Sequence, residues 1–454
     1  MRFLRSNQID TAGRPRKRAR GFAIGIVLWA ITIIAIMLVT VQVASYRQAA
    51  SARESLARVR ATWAARAGIE SMIAKLQGQT RQTDGVSTVQ ILASMAAENT
   101  GEVVAQGLTT TWRIEHTDEN GTLQPGVQDA HAKLNVNLLT QEDLLLLPDM
   151  TEELAQSIID YIDADEDASV SGAEDETYQS LNHSYRARNT PIRDLAELDL
   201  VYNSRIEYVR GADADLNGII SAVERSGQNQ STSNSDGGWS AFMTAASSTS
   251  GLGAGGEPKL DLAAAQSADV TALLGVNTTQ ADAIVSSAQQ TGFAMDAFIR
   301  TSLPNLANQV AQAQGQTLPA NRRPTDLTRE QLALLVDNCT IGDAKLTLPG
   351  KININTVSRR TLEYLASVDS TLADELIEYR ESQGGEIVSI VDLLDLPGMT
   401  RAQLATLAAI FDTQSTVFVA TCKGRDAATG LEVEMIAELD RSTMPLTIRS
   451  LRVR

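Results

Sequence analysis

The sequence predicts an α+β protein in which one long N-terminal helix and a small antiparallel sheet accompany a large inserted α-helical domain. Three observations predict this fold: an uncharged apolar run near the N-terminus, three aligned helical segments in the middle, and alternating strand patterns on both sides of those segments. At 454 residues the chain can hold two or three domains.

The apolar run covers 22–44 without a charged side chain, which is long enough to span a bilayer. A helical pattern continues to residue 77, and Gly78 is predicted to end the helix. At 1.5 Å per residue this helix is roughly 80 Å long. The apolar face of its second half is predicted to comprise Leu56, Val59, Trp63, Ala67, Ile73 and Leu76.

The leader, residues 1–21, carries seven basic residues and one acid, so the N-terminus is expected to stay in the cytoplasm. Without the leader, 32 basic and 54 acidic residues remain, a net charge of −22. Such a body repels nucleic acid and anionic lipid. A plain single-pass anchor remains an alternative at this point.

Three segments, 133–161, 259–287 and 351–379, align without a gap. Each predicts a short extended lead, a helix, a tight turn and a second helix, and the copies are expected to pack on one another or on neighbouring elements. The unit resembles the helix-hairpin-helix. Its hairpins read LPDMT, LGVNT and ASVDS and lack paired glycines, which favours a structural or protein-facing role over binding of DNA phosphates.

Two acidic loops follow the first copy. The loop 213–224 fits the complete calcium-loop pattern, with Gly218 at the turn. Its predicted ligands are Asp213, Asp215, Asn217, the carbonyl of Ile219, Ser221 and Glu224.

The loop 163–174 keeps the oxygen spacing but has Ala168 at the turn position, so its geometry must differ. Its predicted calcium ligands are Asp163, Asp165, Asp167, Ser169 and Glu174. A solvated acidic turn is the alternative for either loop.

The stretch 226–258 is rich in Ser, Gly and Asn and predicts a flexible surface linker, with Trp239 and Phe242 fixing its middle to the body.

Cys339 and Cys422 could pair in an oxidising compartment or remain buried thiols. Strand patterns at 102–123, 415–424, 431–441 and 446–454 predict a discontinuous sheet, formed by 79–130 and 412–454 around an inserted domain at 131–411.

The junction Gly21–Phe22, the long helix and the small sheet resemble type IV pilins and pseudopilins. Within that family the chain is similar to the K-type minor pseudopilins of the type II secretion system. The resemblance depends on KLNVN (133–137), IIDYIDAD (158–165), GAE (172–174), Tyr178, NTPI (189–192), the LAEL that follows and KININT (351–356), and it is weakest over 205–345, which looks like an insertion. It implies cleavage after Gly21, methylation of Phe22, and a periplasmic body anchored in the inner membrane.

Ile26 is an informative departure from the pilin pattern, in which this position, the fifth of the mature chain, is usually glutamate. That carboxylate would neutralise the amine of the neighbour assembled just before it, and an unpaired buried charge is costly. K-type pseudopilins share its absence and are placed at the fibre tip, so Ile26 indicates a tip subunit. The alternative is that Ile26 only extends the apolar anchor.

A non-enzymatic function is expected, because the sequence has no HExxH, nucleophile elbow or P-loop and its histidines, His116, His131 and His183, fit structural positions. The resemblance implies a subunit that initiates and caps the pseudopilus for protein export, with calcium holding the acidic loops. Expected partners are the I- and J-type minor pseudopilins, the major pseudopilin, the prepilin peptidase and the inner-membrane assembly platform. The alternatives are a membrane-anchored DNA receptor of a competence system and a minor pilin of a type IV pilus.

Overall fold

A computed structural model describes residues 20–81, 87–105, 107–227, 238–249, 251–253, 255–342, 349–442 and 445–454. The chain divides into two compact parts, 1–59 and 60–454. The helices are α1 Arg20–Arg81, α2 Thr88–Ala97, α3 Gln141–Leu144, α4 Glu152–Ile162, α5 Asp175–Gln179, α6 Ile206–Arg210, α7 Ala222–Gly227, α8 Ser267–Leu274, α9 Thr278–Ala288, α10 Asp296–Arg300, α11 Leu303–Ala313, α12 Arg329–Asn338, α13 Arg359–Leu362, α14 Ser370–Ser382 and α15 Arg401–Ile410.

The strands form one main sheet and three short pairs. They are β1 Thr100–Ala105, β2 Leu108–Thr117, β3 Leu123–Pro125, β4 Gln128–Asp129, β5 Leu134–Asn135, β6 Met243–Thr244, β7 Leu260–Asp261, β8 Cys339–Thr340, β9 Ile352–Asn353, β10 Phe411–Asp412, β11 Val417–Asp426, β12 Glu432–Asp440 and β13 Thr447–Val453.

The main sheet has the antiparallel order β1-β2-β11-β12-β13, with β3 on β2 and β4 on β11. Ile114 of β2 lies opposite Cys422 of β11, so the sheet joins segments from the two sides of the helical body. The predicted fold class, with a long N-terminal helix, an antiparallel sheet and a helical body, is confirmed.

The first part of the chain, up to residue 59, is described from Arg20 and is entirely α1. Its apolar side chains between Phe22 and Val43 are exposed, as are Leu56 and Val59. The backbone of α1 passes through Gly78 and ends at Arg81, because a glycine inside a helix costs only about 1 kcal/mol relative to alanine.

In the second part of the chain, Ala67, Ile73 and Leu76 of the predicted apolar face of α1 pack in the core between this helix and the sheet, whereas Trp63 does not. Trp63 is 68% exposed, and the residues buried against the sheet are Ala61, Ala64, Ala65, Ile69, Met72 and Leu76. The reason is close packing. A Cβ added to Gly424 of β11 would lie 2.0 Å from the Ala61 carbonyl oxygen, so the helix must present small side chains there.

The helical body consists of three modules, each closed by a short parallel strand pair: β5 with β6, β7 with β8, and β9 with β10. The first and third modules share a half-buried lysine at their start. Lys133 Nζ donates to the Ser240 carbonyl at 2.7 Å, and Lys351 Nζ donates to the Ala408 carbonyl at 2.5 Å. The repeat is therefore longer than the aligned 29-residue segments, since each module includes a distant closing strand.

A second shared contact extends the repeat further. The Asn137 amide accepts from Ile192 N at 2.8 Å and donates to Ile192 O at 3.0 Å. Asn355 makes the same pair of bonds to Ile387, at 2.7 and 2.9 Å. A capped 3-10 turn follows each isoleucine, at Leu195–Leu200 and at Ile390–Asp395. The middle module has Ala263 at this position and has no amide for such a clamp.

The Ser/Gly-rich stretch is not a surface linker over its described residues 238–249. This segment contains β6 and is buried, because it closes the first module. Trp239 and Phe242 do fix it to the body: Phe242 is fully buried, and Trp239 Nε1 donates to the Pro148 carbonyl at 2.9 Å. Residues 228–237 lie outside the described part of the chain.

The suggested disulfide is not formed. Cys339 and Cys422 are both free and buried, Cys339 in the core of the helical body and Cys422 in the core between α1 and the sheet. Burial raises the pKa of both thiols to about 12, so both are inert small apolar residues here.

His131 joins the sheet region to the third module: its Nδ1 lies 2.7 Å from Lys351 O, and its Nε2 lies 3.0 Å from Thr416 Oγ1.

Candidate metal centre

The loop 163–174 joins α4 to α5 and gathers three carboxylates. Oxygens of Asp163, Asp165 and Glu174 lie within 4.8 Å of one another. Glu174 is 4% exposed and caps α5 through the backbone N of Asp175 at 3.3 Å. The end of one helix and the start of the next therefore position the two ends of the cluster.

Three oxygens at this loop are buried without a hydrogen-bond donor: Asp163 Oδ1, Glu174 Oε1 and Asn189 Oδ1. The Asn189 amide is held beside the loop because its Nδ2 donates to the Asp165 carbonyl at 3.0 Å. Asn189 also has a left-handed backbone, with φ of 48°. Buried acceptors without donors are rare and costly, and a hard cation would satisfy all three.

Two predicted ligands of this loop are not part of the cluster. The Ser169 hydroxyl donates to Asp160 Oδ1 at 2.6 Å, and its backbone N donates to Asp160 Oδ2 at 3.0 Å. Asp167 is outside the group of close carboxylates. Asp160 holds this part of the loop, because Gly172 also packs against it: an added Cβ at Gly172 would lie 1.9 Å from Asp160 Oδ2.

The pKa values in this loop follow from burial without a counter-charge. Burial raises the pKa of Glu174 to about 7, and repulsion from Asp160, Asp163 and Asp165 adds to the increase. The pKa of Asp163 is raised by burial and by its acidic neighbours. Both shifts are those of carboxylates that lack a compensating cation.

The loop 213–224 also gathers its predicted carboxylates: oxygens of Asp213, Asp215 and Glu224 lie within 4.8 Å of one another. Gly218 has φ of 77°, as the turn position requires. Asp213 accepts from the backbone N of Asn217 at 3.0 Å and of Gly218 at 2.9 Å. This local geometry agrees with the sequence pattern.

The remaining predicted ligands of this loop also lie along it. Asn217 Oδ1 accepts from the buried Ile219 N at 2.6 Å. Glu224 N donates to Ser221 Oγ at 3.2 Å, and Ser221 N donates to Glu224 Oε2 at 2.8 Å.

Cationic side chains of the protein already lie beside this second loop. Arg454 forms an ion pair with Asp215 and also donates to its carbonyl at 2.7 Å. Burial raises the pKa of Asp213 to about 6, opposed by two backbone hydrogen bonds and by attraction to Lys133. Burial of the Lys133 ammonium lowers its pKa to about 8, opposed by attraction to Asp213.

The same loop is attached to the main sheet. Thr117 N donates to the Gly218 carbonyl at 2.7 Å, and Thr421 Oγ1 donates to the Asn217 carbonyl at 2.7 Å. Asn217 Nδ2 donates to Glu434 Oε1 at 2.9 Å. The loop is thus part of the junction between the helical body and the sheet.

The third module contains a hairpin that the sequence analysis did not identify, LPGMT at 396–400. Gly398 has φ of 83°, and Thr400 begins α15 with a capping box. Arg401 at this hairpin forms an ion pair with Asp326 at 3.0 Å. The LDLPG sequence directly before a helix could have revealed this hairpin. It was not used because it lies beyond the aligned repeat.

Among the described residues, one helix is long and apolar enough to cross a membrane, Phe22–Gln77, with a mean hydropathy of 2.8 in its most apolar window. Phe22 and Ile26 lie in it with exposed side chains. Gly21 lies in the first turn of α1, and the rest of the leader up to residue 19 is outside the described residues.

Comparison with known proteins gives two family models. Residues 117–211 match the model for the type II secretion system (T2SS), protein K. Residues 349–411 match the helix-hairpin-helix motif, which confirms that resemblance for the third module.

The chain is similar to a solved structure, the GspK-GspI-GspJ complex from the enterotoxigenic Escherichia coli type 2 secretion system. The sequence identity is 11% and the TM-score 0.42, over 89% of this chain and 99% of that chain. No curated protein sequence matches. The match at 117–211 shows that this part of the chain is similar to protein K of the type II secretion system, the resemblance that the sequence indicated.

Proposed function

We propose that this protein is the minor pseudopilin at the tip of the type II secretion pseudopilus, where it initiates and caps the fibre that exports folded proteins across the outer membrane. The observation that supports this most is the protein K match at 117–211 in a chain that begins with a membrane-length apolar helix.

Ile26 supports the position at the tip. A carboxylate at this place in the helix would pair with the terminal amine of a preceding subunit, and isoleucine cannot do so. The large helical body, inserted between β4 and β11 of the sheet, would also obstruct a further subunit above it. The partners at the tip would be I- and J-type minor pseudopilins, with the major pseudopilin below.

Processing and location follow from the same role. The prepilin peptidase would cleave after Gly21 and methylate Phe22, and the assembly platform of the inner membrane would extract the subunit into the fibre. The basic leader would keep the N-terminus in the cytoplasm and the body in the periplasm. N-terminal sequencing of the membrane-extracted protein should give methylated Phe22, whereas a start at Met1 would reduce the protein to a generic anchor.

Calcium is the proposed cation of the acidic loops. Asp163, Asp165, Glu174 and Asn189 would hold one ion in the first loop, where three buried oxygens lack a donor. Asp213, Asp215, Asn217, Ile219, Ser221 and Glu224 would hold another in the second. Binding would fix each loop between the elements that it joins.

The decisive experiment is deletion of the gene with complementation by variants. The deletion should abolish secretion, and Ile26→Glu should impair fibre initiation, whereas Ile31→Glu in the same apolar helix controls for a buried acid as such. Normal secretion and normal fibres in the deletion strain would contradict the proposal.

A second candidate, a DNA receptor, is favoured by the helix-hairpin-helix match at 349–411. The charges of its hairpin oppose it, since Arg401 is paired with Asp326 and the body has a net charge of −22. Gel-shift titration at low salt should show no binding, and saturable binding would favour the DNA receptor.

A further inference from the structure

We propose that the cavity between the main sheet and the first module of the helical body binds a neutral oligosaccharide. The cavity has a volume of about 780 Å³, within the range of about 300–1,000 Å³ that is usual for small-molecule sites. Asp194 lines it from the body, Glu438 and Ser450 line it from β12 and β13, and Ser248 lines it from the segment after β6. This inference goes beyond the secretion role and does not depend on it.

The hydroxyl of Ser248 marks this cavity as a binding site. Ser248 is 1% exposed, and its Oγ is buried without a hydrogen-bond partner. The backbone holds the residue in place, because its carbonyl accepts from Thr416 Oγ1 at 2.6 Å and it forms a β-bridge with Pro349. A buried hydroxyl without a partner costs free energy, and a ligand that hydrogen-bonds inside the cavity would remove this cost.

The charges around the cavity cancel, which argues against an ionic ligand. The lining contains three arginines and three acids, namely Arg188, Arg193, Arg449, Asp194, Glu438 and Asp440. Arg188 is held by an ion pair with Glu197. Arg449 contacts Asp440 at 2.5 Å and donates to the Ala246 carbonyl at 2.7 Å. Two of the three positive charges are therefore already compensated, and an anion would have to compete with these pairs.

The polar groups that remain suit the hydroxyl groups of a ligand. Burial raises the pKa of Glu438, and the guanidinium of Arg452 lies 3.9 Å from it, beyond hydrogen-bond distance. A carboxylate accepts from hydroxyl groups, and a serine hydroxyl both donates and accepts. Each hydroxyl of a sugar has the same double capacity, so a saccharide matches Glu438, Ser450 and Ser248 together.

The apolar part of the lining is too small for a lipid or an aromatic ligand. None of the described residues that line the cavity is aromatic, and the apolar ones are Pro191, Ile192, Ala245 and Pro349. Pockets for apolar ligands are lined mainly by hydrophobic and aromatic side chains. Short apolar surfaces of this kind would cover the C–H face of a sugar ring and leave its hydroxyl groups to the polar side chains.

The test is calorimetric titration of the full-length protein in a polyoxyethylene detergent, because the headgroup of a maltoside detergent would itself be a candidate ligand. The neutral probes are tri-N-acetylchitotriose and maltotriose. The charged controls are deacetylated chitotriose, which is cationic, and trigalacturonic acid, which is anionic. We expect saturable binding of a neutral trisaccharide and binding about tenfold weaker or less for both charged controls.

Variants locate the binding in the cavity. Ser248→Ala removes the hydroxyl without a partner and should weaken binding of the neutral trisaccharide about tenfold. Thr447→Trp, at the exposed rim, should block entry and abolish binding. The matched control is Ser287→Ala, which removes another buried hydroxyl without a partner, in α9 and outside the cavity, and should bind as the parent does. Thermal unfolding checks that each variant is folded.

Three results would overturn the proposal: failure of both neutral trisaccharides to bind, equal or tighter binding of a charged control, or binding unchanged in both Ser248→Ala and Thr447→Trp. An equal loss of binding in Ser287→Ala would show that the substitutions act through the fold and not through the cavity, and would likewise overturn it.

Discussion

The two acidic loops of the helical body show how a sequence pattern and a binding environment can differ. The loop 213–224 fits the calcium pattern at every position, yet Arg454 and Lys133 lie beside its carboxylates. The loop 163–174 departs from the pattern at Ala168, yet it leaves three buried oxygens without a donor. Spacing therefore identifies oxygens that could bind an ion, whereas unsatisfied burial identifies oxygens that an ion would stabilise.

The largest expected effect is loss of calcium stabilisation when the first loop is changed. A ligand at 100 times its Kd stabilises a protein by about 2.7 kcal/mol. Glu174→Gln should remove most of the calcium-induced increase in melting temperature, because it removes a buried ligand charge. The matched control is Glu176→Gln, an exposed acid two residues away, which should behave as the parent.

Calorimetric titration of the same variants would complete this test. A parent protein that shows neither heat nor stabilisation with calcium would reject both loops as sites. Equal loss in Glu174→Gln and in Asp213→Ala would remove the difference between the loops.

The next effect is on the pH dependence of the calcium-free protein. Glu174 has its pKa raised from 4.5 to about 7 by burial, so the folded state holds a proton that the unfolded state releases earlier. The free energy of unfolding should therefore fall as the pH rises from about 4.5 to about 7. Glu174→Gln cannot ionise, and its slope in this window should be smaller.

Denaturant unfolding in a chelator, at half-unit steps of pH, measures this slope. Saturating calcium should flatten it in the parent, because the ion favours the ionised carboxylate. A slope that is the same in the parent and in Glu174→Gln would show that Glu174 is not the strained group.

Asn189 is the residue that most separates the two loops, since the calcium pattern does not include it. Asn189→Ala should weaken calcium binding about tenfold, or about 1.4 kcal/mol, because one buried ligand oxygen is lost. Asn189→Asp should retain or strengthen binding. Asn203→Ala controls for the loss of an asparagine with a left-handed backbone, and its effect should be on stability alone. Calorimetric titration measures all three.

The limits of the sequence analysis have physical causes. The apolar run, the repeats and the split sheet were predictable because each depends on a local periodicity. The closing strands β6 and β10 were not, because two residues carry no period and their partners lie far away in sequence. Helix α2 was missed as well, and Trp63 of α1 was misassigned because alanines meet the sheet in this part of the helix. The buried, unpartnered oxygen of Asn189 could not be predicted, because an unsatisfied oxygen is a property of tertiary structure.

The smallest expected effect is that of Arg454. It tests whether a neighbouring positive charge is what distinguishes the loop 213–224 from the loop 163–174. If this guanidinium competes with an ion for Asp215, then Arg454→Ala should raise the calcium affinity of the loop 213–224 a few-fold. The measurement is calorimetric titration in a Glu174→Gln background, so that the second loop is observed separately. Arg452→Ala, two residues earlier in β13 and paired with Glu438, is the control. An affinity that falls in Arg454→Ala would mean that the arginine positions Asp215 for the ion instead of replacing it, and the two loops would then differ in geometry and not in charge compensation.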